Sequence, residues 1–484
     1  MKLLKLTVAV LAIQALILSS VQADITVSHI FGDHMVLQRD LAVPVWGKAD
    51  AGETVKVTFG GQTKEATADK AGDWMVRLDA MKANAVPQTL SIAGANKLDF
   101  KDVLIGEVWI CSGQSNMAWT VGGVTQSKEE VAAANYPNIR HITVPRKPAD
   151  TPQSDFDGSW SVCSPKTAGG FTAVGYFFGR KLHKELNVPI GLINSSWGGT
   201  RIEPWTSLGG FKQVAKQDFA KPIIASVSKG EMGPNHQSPT RLYRGMITPL
   251  KPYGIRGAIW YQGESNGSEG ITYYHKKHAL VGGWREAWNQ GDFPFYWVQL
   301  ANFRDDKNEP AGGDGYAKIR DFQRKAQDIK NTGMAVIIDI GETKDIHPKN
   351  KQDVGARLAQ LALANDYGKD VVPSGPLYKK LTIKGKKITI QFDNVGAGLI
   401  VGKKEGLTPV TEDSSTGLKR FAIAGKDKVW VWADAKITGD TVVVSSAEVA
   451  KPVAVRYGYS GNPLGANLYN KDGFPASPFR TDDW

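Results

Sequence analysis

From Val103 to about Tyr367 the sequence alternates apolar segments of strand length with longer segments that have the periodicity of a helix. The predicted strands cover residues 106–111, 188–194, 255–261, 293–300 and 334–340. The predicted helices cover residues 174–186, 271–289, 316–330 and 351–367. This alternation is typical of a parallel sheet with helices on its faces, because each parallel strand needs a crossover connection to the next. We therefore predict an α/β fold in which the carboxyl ends of the strands carry the functional residues.

The segments on either side of this region have the short alternating patterns of β-strands. Before it, the predicted strands cover residues 35–37, 43–46, 54–59, 74–78 and 89–92. After it, they cover residues 381–384, 387–392, 429–432 and 441–445, with glycine-containing turns between them. We predict an N-terminal β-sandwich-like domain at residues 24–102, an α/β domain at residues 103–368 and a C-terminal β-rich domain at residues 369–484.

The first 23 residues have the features of a signal peptide. Lys2 and Lys5 precede an apolar run over residues 6–18, and small residues precede a cleavage site after Ala23. The apolar run is shorter than the roughly 20 residues that a membrane-spanning helix needs, so a membrane anchor is the weaker interpretation. We expect a secreted protein, in the periplasm, with no stable insertion in the membrane.

The net charge and the two cysteines exclude few classes of protein. The formal net charge is +11, but the basic residues are scattered, without a nucleic-acid-binding motif or a dense block of Lys and Arg. We therefore expect no nucleic-acid partner. Cys111 and Cys163 could form one disulfide, and a buried free thiol fits Cys111 equally well.

The first predicted strand of the α/β region runs into a tight polar turn, Gly-Gln-Ser-Asn-Met, at residues 113–117. A strand that is only structural has no need of such an ending, whereas an attacking hydroxyl needs a rigid strand behind it and small residues that leave it exposed. Ser115 is the candidate nucleophile. An ordinary polar turn is the alternative.

Three other strand ends also carry polar or glycine-rich turns. Residues 197–200 read Trp-Gly-Gly-Thr, where the glycines could offer backbone N–H groups to an oxyanion. Residues 260–266 contain Gln262, whose side-chain amide could donate to the same oxyanion, and Glu264. Asp345 and His347 follow the last strand, and a histidine oriented by a carboxylate can take a proton from a serine near neutral pH.

Other mechanisms fit less well. His275 and His278 have the spacing of metal ligands on a helix, but no third ligand matches them. The chain has no P-loop, and its serine motif lacks the closing glycine of the α/β-hydrolase nucleophile elbow. A glycosidase remains open, with carboxylates drawn from Glu203, Glu264 and Asp345, although it would leave Ser115 without a role.

The four motifs at residues 113–117, 197–200, 260–266 and 345–348 together resemble the sialate O-acetylesterase family, a branch of the SGNH hydrolases. The resemblance implies that Ser115 is the nucleophile, His347 the general base and Asp345 the acid that orients it. It also implies an oxyanion hole made by the amides of Ser115 and Gly199 and the side chain of Gln262. No metal and no cofactor are implied.

The chain departs from the wider superfamily at two positions. Gln262 replaces the usual asparagine, and Lys344 stands where the acid is usual, three residues before the histidine. Further candidates for the acid are Asp339, Glu342 and Glu264. Supporting or substrate-binding roles fall on Asn116, Glu264, Trp119, Trp197 and Arg201, and Trp205 is another candidate for the sugar site.

The implied reaction is removal of acetyl groups from sugar hydroxyls through an acetyl-serine intermediate. The expected partner is an O-acetylated sialic acid or another O-acetylated glycan, and acetylated plant oligosaccharides such as xylan fragments are an alternative. A rival of another class is a glycan-binding protein without catalysis, suggested by the two flanking β-rich regions and the 14 tryptophans. The sequence does not indicate the oligomeric state.

Overall fold

A computed structural model describes residues 24–413 and 415–484. The predicted signal peptide, residues 1–23, lies outside the described residues. Within the described ranges, no helix combines the length and the apolar character needed to cross a membrane.

A mixed sheet forms the centre of the protein. Its strands, together with the N-terminal strands that lead into it, are β1 (Thr26–Val27), β2 (Val36–Gln38), β3 (Val43–Lys48), β4 (Thr54–Phe59), β5 (Gln62–Thr67), β6 (Asp73–Leu78), β7 (Asn84–Ala93), β8 (Lys97–Gly113), β9 (Tyr136–Thr143), β10 (Ser161–Cys163), β11 (Ile190–Ser196), β12 (Gly257–Tyr261), β13 (Phe295–Val298) and β14 (Thr332–Ala335). The central order is β10-β9-β11-β8-β12-β13-β14. All neighbours are parallel except β10, which pairs with β9 in the antiparallel sense.

Helices cover both faces of this sheet. They are α1 (Ser115–Ala118), α2 (Ser127–Ala132), α3 (Ala173–Leu186), α4 (Leu208–Gln213), α5 (Ala220–Lys229), α6 (Ile271–Trp288), α7 (Gly315–Lys325) and α8 (Lys351–Asn365). Trp109 of β8 packs against Phe178 of α3, and α3 packs against α8. On the opposite face, Trp260 of β12 packs against Trp284 of α6. The predicted α/β architecture is confirmed at this level.

Strand β8 joins the N-terminal region to the α/β region without a break. Its first half pairs with β7 in the antiparallel sense, and its second half lies between β11 and β12 in the parallel sheet. One hydrophobic core runs from the N-terminal strands into the sheet. The domain boundary predicted after residue 102 therefore falls inside a continuous strand, and the three-part division of the chain stays a prediction.

The C-terminal region consists of short antiparallel strands around a second hydrophobic core. Its strands are β15 (Leu377–Lys384), β16 (Lys387–Asp393), β17 (Leu399–Lys403), β18 (Thr411–Glu412), β19 (Phe421–Ala424), β20 (Trp430–Trp432), β21 (Asp434–Thr438), β22 (Thr441–Ser445), β23 (Ala454–Tyr457), β24 (Leu468–Asn470) and β25 (Phe479–Arg480). They form sheets of order β15-β16-β22-β21, β18-β17-β24 and β20-β19-β23-β25. The buried Arg320 of α7 donates to the carbonyl oxygens of Ser460 and Gly461, which fastens this region to the α/β part.

Several strand predictions differ from the structure, and β9 and β10 of the central sheet have no counterpart among the predicted strands. The strand predicted at 334–340 ends at Ala335, and the guanidinium of Arg357 takes the next carbonyl oxygen, that of Val336, as well as the carboxylate of Asp339. Strand β5 is also missed, because five of its six residues are polar and none of the six is fully buried. Both cysteines are buried free thiols, so Cys111 and Cys163 form no disulfide.

His141 of β9 is buried near the turn that carries Ser115. Its Nε2 accepts the N–H of Thr172 at 3.3 Å, and its ring stacks on Phe171 at 4.4 Å. Burial lowers the pKa of the imidazole to about 3 from its ordinary value of 6.5. The folded protein thus holds this side chain neutral at pH values where the unfolded chain binds a proton.

We expect stability to decline as the pH falls from 6.5 towards 3. Since the unfolded state then binds the extra proton, His141 should lower the free energy of unfolding by up to about 1.4 kcal/mol per pH unit. His141→Gln keeps an acceptor for Thr172 and should show a shallower acid dependence in urea unfolding at pH 4 to 8. If the free energy of unfolding falls equally steeply with decreasing pH in the variant and in the wild type, His141 is not the cause of the loss of stability in acid.

Candidate active site

The register of three parallel strands brings the predicted motifs together. Gly113 at the end of β8 lies opposite Ser196 of β11 and Tyr261 of β12. The three loops that follow therefore begin at the same edge of the sheet. Gly113 has a φ of 135°, and a Cβ there would lie 2.1 Å from the carbonyl oxygen of Tyr261, so this position requires glycine.

Ser115 begins the short helix α1 and is held by contacts on both sides. Before it, the N–H of Gln114 donates to the Tyr261 carbonyl oxygen at 2.9 Å. After it, the carbonyl oxygen of Met117 accepts the hydroxyl of Thr172 at 2.5 Å. Ser115 itself is half-buried, while both of its neighbours are buried. The turn is thus rigid, with its serine accessible.

His347 links Ser115 to a carboxylate. Its Nε2 lies 2.9 Å from Ser115 Oγ, and its Nδ1 lies 3.2 Å from Asp345 Oδ1. The backbone N–H of His347 donates to the same carboxylate oxygen at 2.9 Å. This backbone bond and the imidazole together hold the pKa of Asp345 below its usual value. Asp345 therefore stays ionised at neutral pH and can orient the imidazole.

The other candidate acids have different partners. Asp339 makes two hydrogen bonds with Arg357, at 2.6 and 2.8 Å. Glu342 accepts the N–H of Lys349, and Glu264 accepts the side-chain amide of Asn116. Of the four carboxylates considered, Asp345 is the one that contacts the imidazole.

Two backbone N–H groups fit the predicted oxyanion hole. Gly198 approaches the nucleophile so closely that a Cβ there would lie 3.2 Å from Ser115 Cβ. Gly199 has a φ of 75° and faces open space. Among the described residues, neither the Ser115 N–H nor the Gly199 N–H donates to another backbone or side-chain group. Both remain available to a ligand.

The structure contradicts the prediction that the Gln262 side chain is the third donor. Gln262 is fully buried, and its Nε2 donates to the Thr200 carbonyl oxygen at 3.2 Å and to Asn266 Oδ1 at 2.7 Å. Its Oε1 accepts the hydroxyl of Tyr273 at 2.9 Å. Both amide hydrogens are therefore already donated within the protein. Gln262 stabilises the loop after β12 and has no hydrogen left to donate to an oxyanion.

The tryptophans divide into two groups. Trp119 stacks on His347 with 5.3 Å between ring centroids, and Trp197 stacks on His236 at 4.7 Å. Both are partly buried and lie beside the serine and its glycine loop, as a sugar-contacting role requires. Trp205 is fully buried, so its suggested place in the sugar site is wrong.

Arg201 is bound within the protein. Its guanidinium pairs with Glu203 and Glu269 and donates to the carbonyl oxygen of Ser265. Lys276 completes the cluster by bridging the same two carboxylates at 2.7 Å each. These contacts tie the loops after β11 and β12 together, which fits the supporting role predicted for Arg201.

A cavity of about 400 Å³ lies next to these residues, within the usual size range of small-ligand sites. Glu264, Ser265 and Tyr316 line one side of it, and Arg304 and Lys307 line another. The N–H of Arg304 donates to the carbonyl oxygen of Thr343, on the loop that carries Asp345 and His347. Sequence analysis missed Arg304, because it lies in a polar loop that has no motif.

A serine, a histidine and a carboxylate joined in series at the carboxyl edge of a parallel sheet are the parts of a serine hydrolase. Comparison with known proteins gives the family. A family model described as "Carbohydrate esterase, sialic acid-specific acetylesterase" matches residues 105–364. The chain is 35% identical to the sialate O-acetylesterases of Pongo abelii and Homo sapiens over 392 residues, which cover 73% of each chain.

A solved structure agrees with this assignment. The fold is similar to that of a carbohydrate acetylesterase from Xanthomonas citri, with a TM-score of 0.85 and 39% identity, over 95% of this chain and all of that one. The chain belongs to the sialate O-acetylesterase family, which confirms the resemblance of the four motifs. It is a carbohydrate O-acetylesterase, and neither a glycosidase nor a glycan-binding protein without catalysis.

We expect Asp345→Asn to lower kcat strongly. The asparagine can no longer stabilise an imidazolium, and in a serine hydrolase this change costs up to about 10⁴-fold in kcat. Hydrolysis of an aryl acetate measures the loss, and Glu342→Gln is the matched control because Glu342 does not contact the imidazole. Wild-type kcat in Asp345→Asn would exclude Asp345 as the acid.

Proposed function

We propose that Ser115 is the nucleophile of an SGNH-type esterase. The observation that carries the proposal is the 2.9 Å contact between Ser115 Oγ and His347 Nε2. His347 takes the hydroxyl proton as Oγ attacks the acetyl carbonyl carbon. The proton then passes to the sugar oxygen as the ester bond breaks. Water, activated by the same imidazole, hydrolyses the acetyl-serine and releases acetate.

We assign the oxyanion to the N–H groups of Ser115 and Gly199. Both are free of partners among the described residues, and Gly198 brings the second loop against the serine. Donors fixed by the backbone need no rearrangement when the negative charge develops, so they stabilise the transition state more than the ester. The proposed oxyanion hole therefore consists of the Ser115 and Gly199 amides, without the Gln262 side chain.

The substrate that fits best is an O-acetylated acidic sugar such as an acetylated sialic acid. Arg304 supports this choice, because its guanidinium makes no hydrogen bond or ion pair with any residue in the described ranges and lies over the Tyr316 ring at 5.6 Å. An exposed guanidinium beside a ligand-sized cavity can pair with a sugar carboxylate.

An acetylated neutral oligosaccharide, of the kind found in plants, is the second candidate. Asp305 and Asp314 also line the cavity, and carboxylates there can accept hydrogen bonds from sugar hydroxyls. The Tyr316 ring suits the apolar face of a neutral sugar as well as that of an acidic one. The similar protein from Xanthomonas citri is described as a carbohydrate acetylesterase, without reference to sialic acid.

We also propose that the protein is secreted into the periplasm after cleavage at Ala23. The proposal rests on the two lysines, the short apolar run and the small residues at the start of the chain.

Ser115→Ala should abolish acetate release. Without the hydroxyl no acetyl-serine forms, so only the weak catalysis provided by the oxyanion hole and by binding remains. Acetate is measured from an aryl acetate, an O-acetylated sialic acid and an acetylated xylan oligosaccharide, with circular dichroism to verify folding. A folded Ser115→Ala variant that releases acetate at the wild-type rate would contradict the assignment of the nucleophile.

Arg304→Gln should separate the two substrate candidates. Loss of a charge-assisted pair is expected to lower kcat/KM for the acetylated sialic acid by about 10-fold to 100-fold, since hydrogen bonds to charged groups contribute about 1.5–3 kcal/mol. Rates with the aryl acetate and the xylan oligosaccharide should stay unchanged. Lys318→Gln is the charge-matched control, because Lys318 is an exposed residue outside the cavity lining. Equal losses on all three substrates would contradict an acidic-sugar site at Arg304.

A further inference from the structure

Asn116, the residue after the nucleophile, is fully buried and joins three segments of the site. Its Nδ2 donates to Glu264 Oε1 at 2.5 Å and to the carbonyl oxygen of Ile346 at 3.1 Å. Its Oδ1 accepts the ammonium group of Lys351 at 2.5 Å. One side-chain amide thus connects the serine turn, the loop after β12 and the loop that carries His347.

Lys351 is an unexpected residue at its position. It is fully buried and is the first residue of α8, where the positive end of the helix dipole disfavours a cation. Within the described ranges, its ammonium donates to Asn116 alone and has no carboxylate in ion-pair contact; the Tyr261 ring lies 5.2 Å away. Burial lowers the pKa of Lys351 to about 7, against the attraction of Glu264, Glu342 and Asp345. Packing alone would be satisfied better by an apolar side chain of the same length.

Lys351 determines which way the Asn116 amide faces. An amide has an acceptor on one side and two donors on the other, whereas the protonated ammonium form of lysine has three N–H donors and no acceptor. If the amide were turned over, its NH₂ would face the ammonium, and its oxygen would face Glu264 and the Ile346 carbonyl. Each of these contacts would then join two donors or two acceptors, so the observed orientation is the one that pairs both ends of the Asn116 amide with complementary groups.

The orientation of this amide bears directly on the reacting atoms. Ile346 immediately precedes His347, so the bond from Asn116 to the Ile346 carbonyl helps to set the height of the imidazole above Ser115. On the proposed function of Ser115 and His347, a small displacement of this loop would lengthen the 2.9 Å contact through which the proton passes.

We propose that Lys351 is a positioning residue of the esterase. Its ammonium group locks the side chain of Asn116, and Asn116 in turn holds the serine turn and the histidine loop in register. Lys351 touches neither the substrate nor the reacting atoms.

The test is the hydrolysis of an aryl acetate by Lys351→Met. We expect kcat to fall by about 10-fold to 100-fold, as for a misplacement of reacting groups by about 1 Å, with KM within about twofold of the wild type. The matched control is Lys277→Met. Lys277 is also a fully buried lysine, and it lies among the rings of Trp260, Tyr273 and Trp297. Its amine has no hydrogen-bond partner among the described residues, so it makes no hydrogen bond with Asn116. This control should keep the wild-type kcat.

A double-mutant cycle with Asn116→Leu separates positioning from a general loss of structure. If Lys351 acts through Asn116, Lys351→Met should lower kcat much less in the Asn116→Leu background than in the wild type. If Lys351→Met does not fold, Lys351→Gln replaces it, since its amide is one bond too short to reach Asn116 and the same results are expected.

Two results would overturn the proposal. One is a folded Lys351 variant whose kcat lies within about twofold of the wild type, and the other is an equal loss of kcat in both backgrounds. Ser115→Ala is measured in the same assay. Activity in Ser115→Ala would refute the proposed function, whereas inactive Ser115→Ala with normal Lys351→Met would refute the role of Lys351 alone.

Discussion

The alignment of β8 with β11 and β12 is the constraint on which the site depends. Because Gly113, Ser196 and Tyr261 lie opposite one another, the serine turn, the glycine loop and the polar loop after β12 leave the sheet together. A slip of one residue in either pairing would turn every side chain of that strand to the other face of the sheet. The hydrophobic side chains on both faces of the sheet therefore hold the catalytic register in place as well as the fold.

A layer of buried polar contacts connects the loops at these strand ends and so positions the reacting atoms. Asn116 lies at its centre, with Gln262 as a separate brace of the neighbouring loop. Buried polar groups are costly unless they are paired, so a layer in which each amide is satisfied favours a single arrangement of the loops. Glu264 contributes to this layer, and burial raises the pKa of its carboxyl group.

Much of the site could be predicted because the chemistry restricts which residues are possible. A serine after a strand and a histidine with a nearby carboxylate at another strand end are rare enough to be recognised, and the structure places Ser115, His347 and Asp345 in contact. The start of α8 at Lys351 was also predictable from its periodicity, whereas the helix predicted at 316–330 ends at Lys325. The direction of a side chain was not predictable. Gln262 has the right donor group at the right strand end, and only its three-dimensional neighbours show that both hydrogens are used inside the protein.

The continuity of β8 was not predictable from the sequence either. The first part of this strand alternates between exposed and partly buried residues, whereas the second part is buried throughout, so the two parts resemble separate strands.

The central claim is that Ser115 carries the acetyl group during the reaction. The most direct measurement is mass spectrometry of the protein after rapid acid quenching of turnover with an aryl acetate, followed by digestion. We predict one added acetyl group on the peptide that contains Ser115, and none in Ser115→Ala. Turnover that leaves this peptide unmodified while another residue is acetylated would contradict the account.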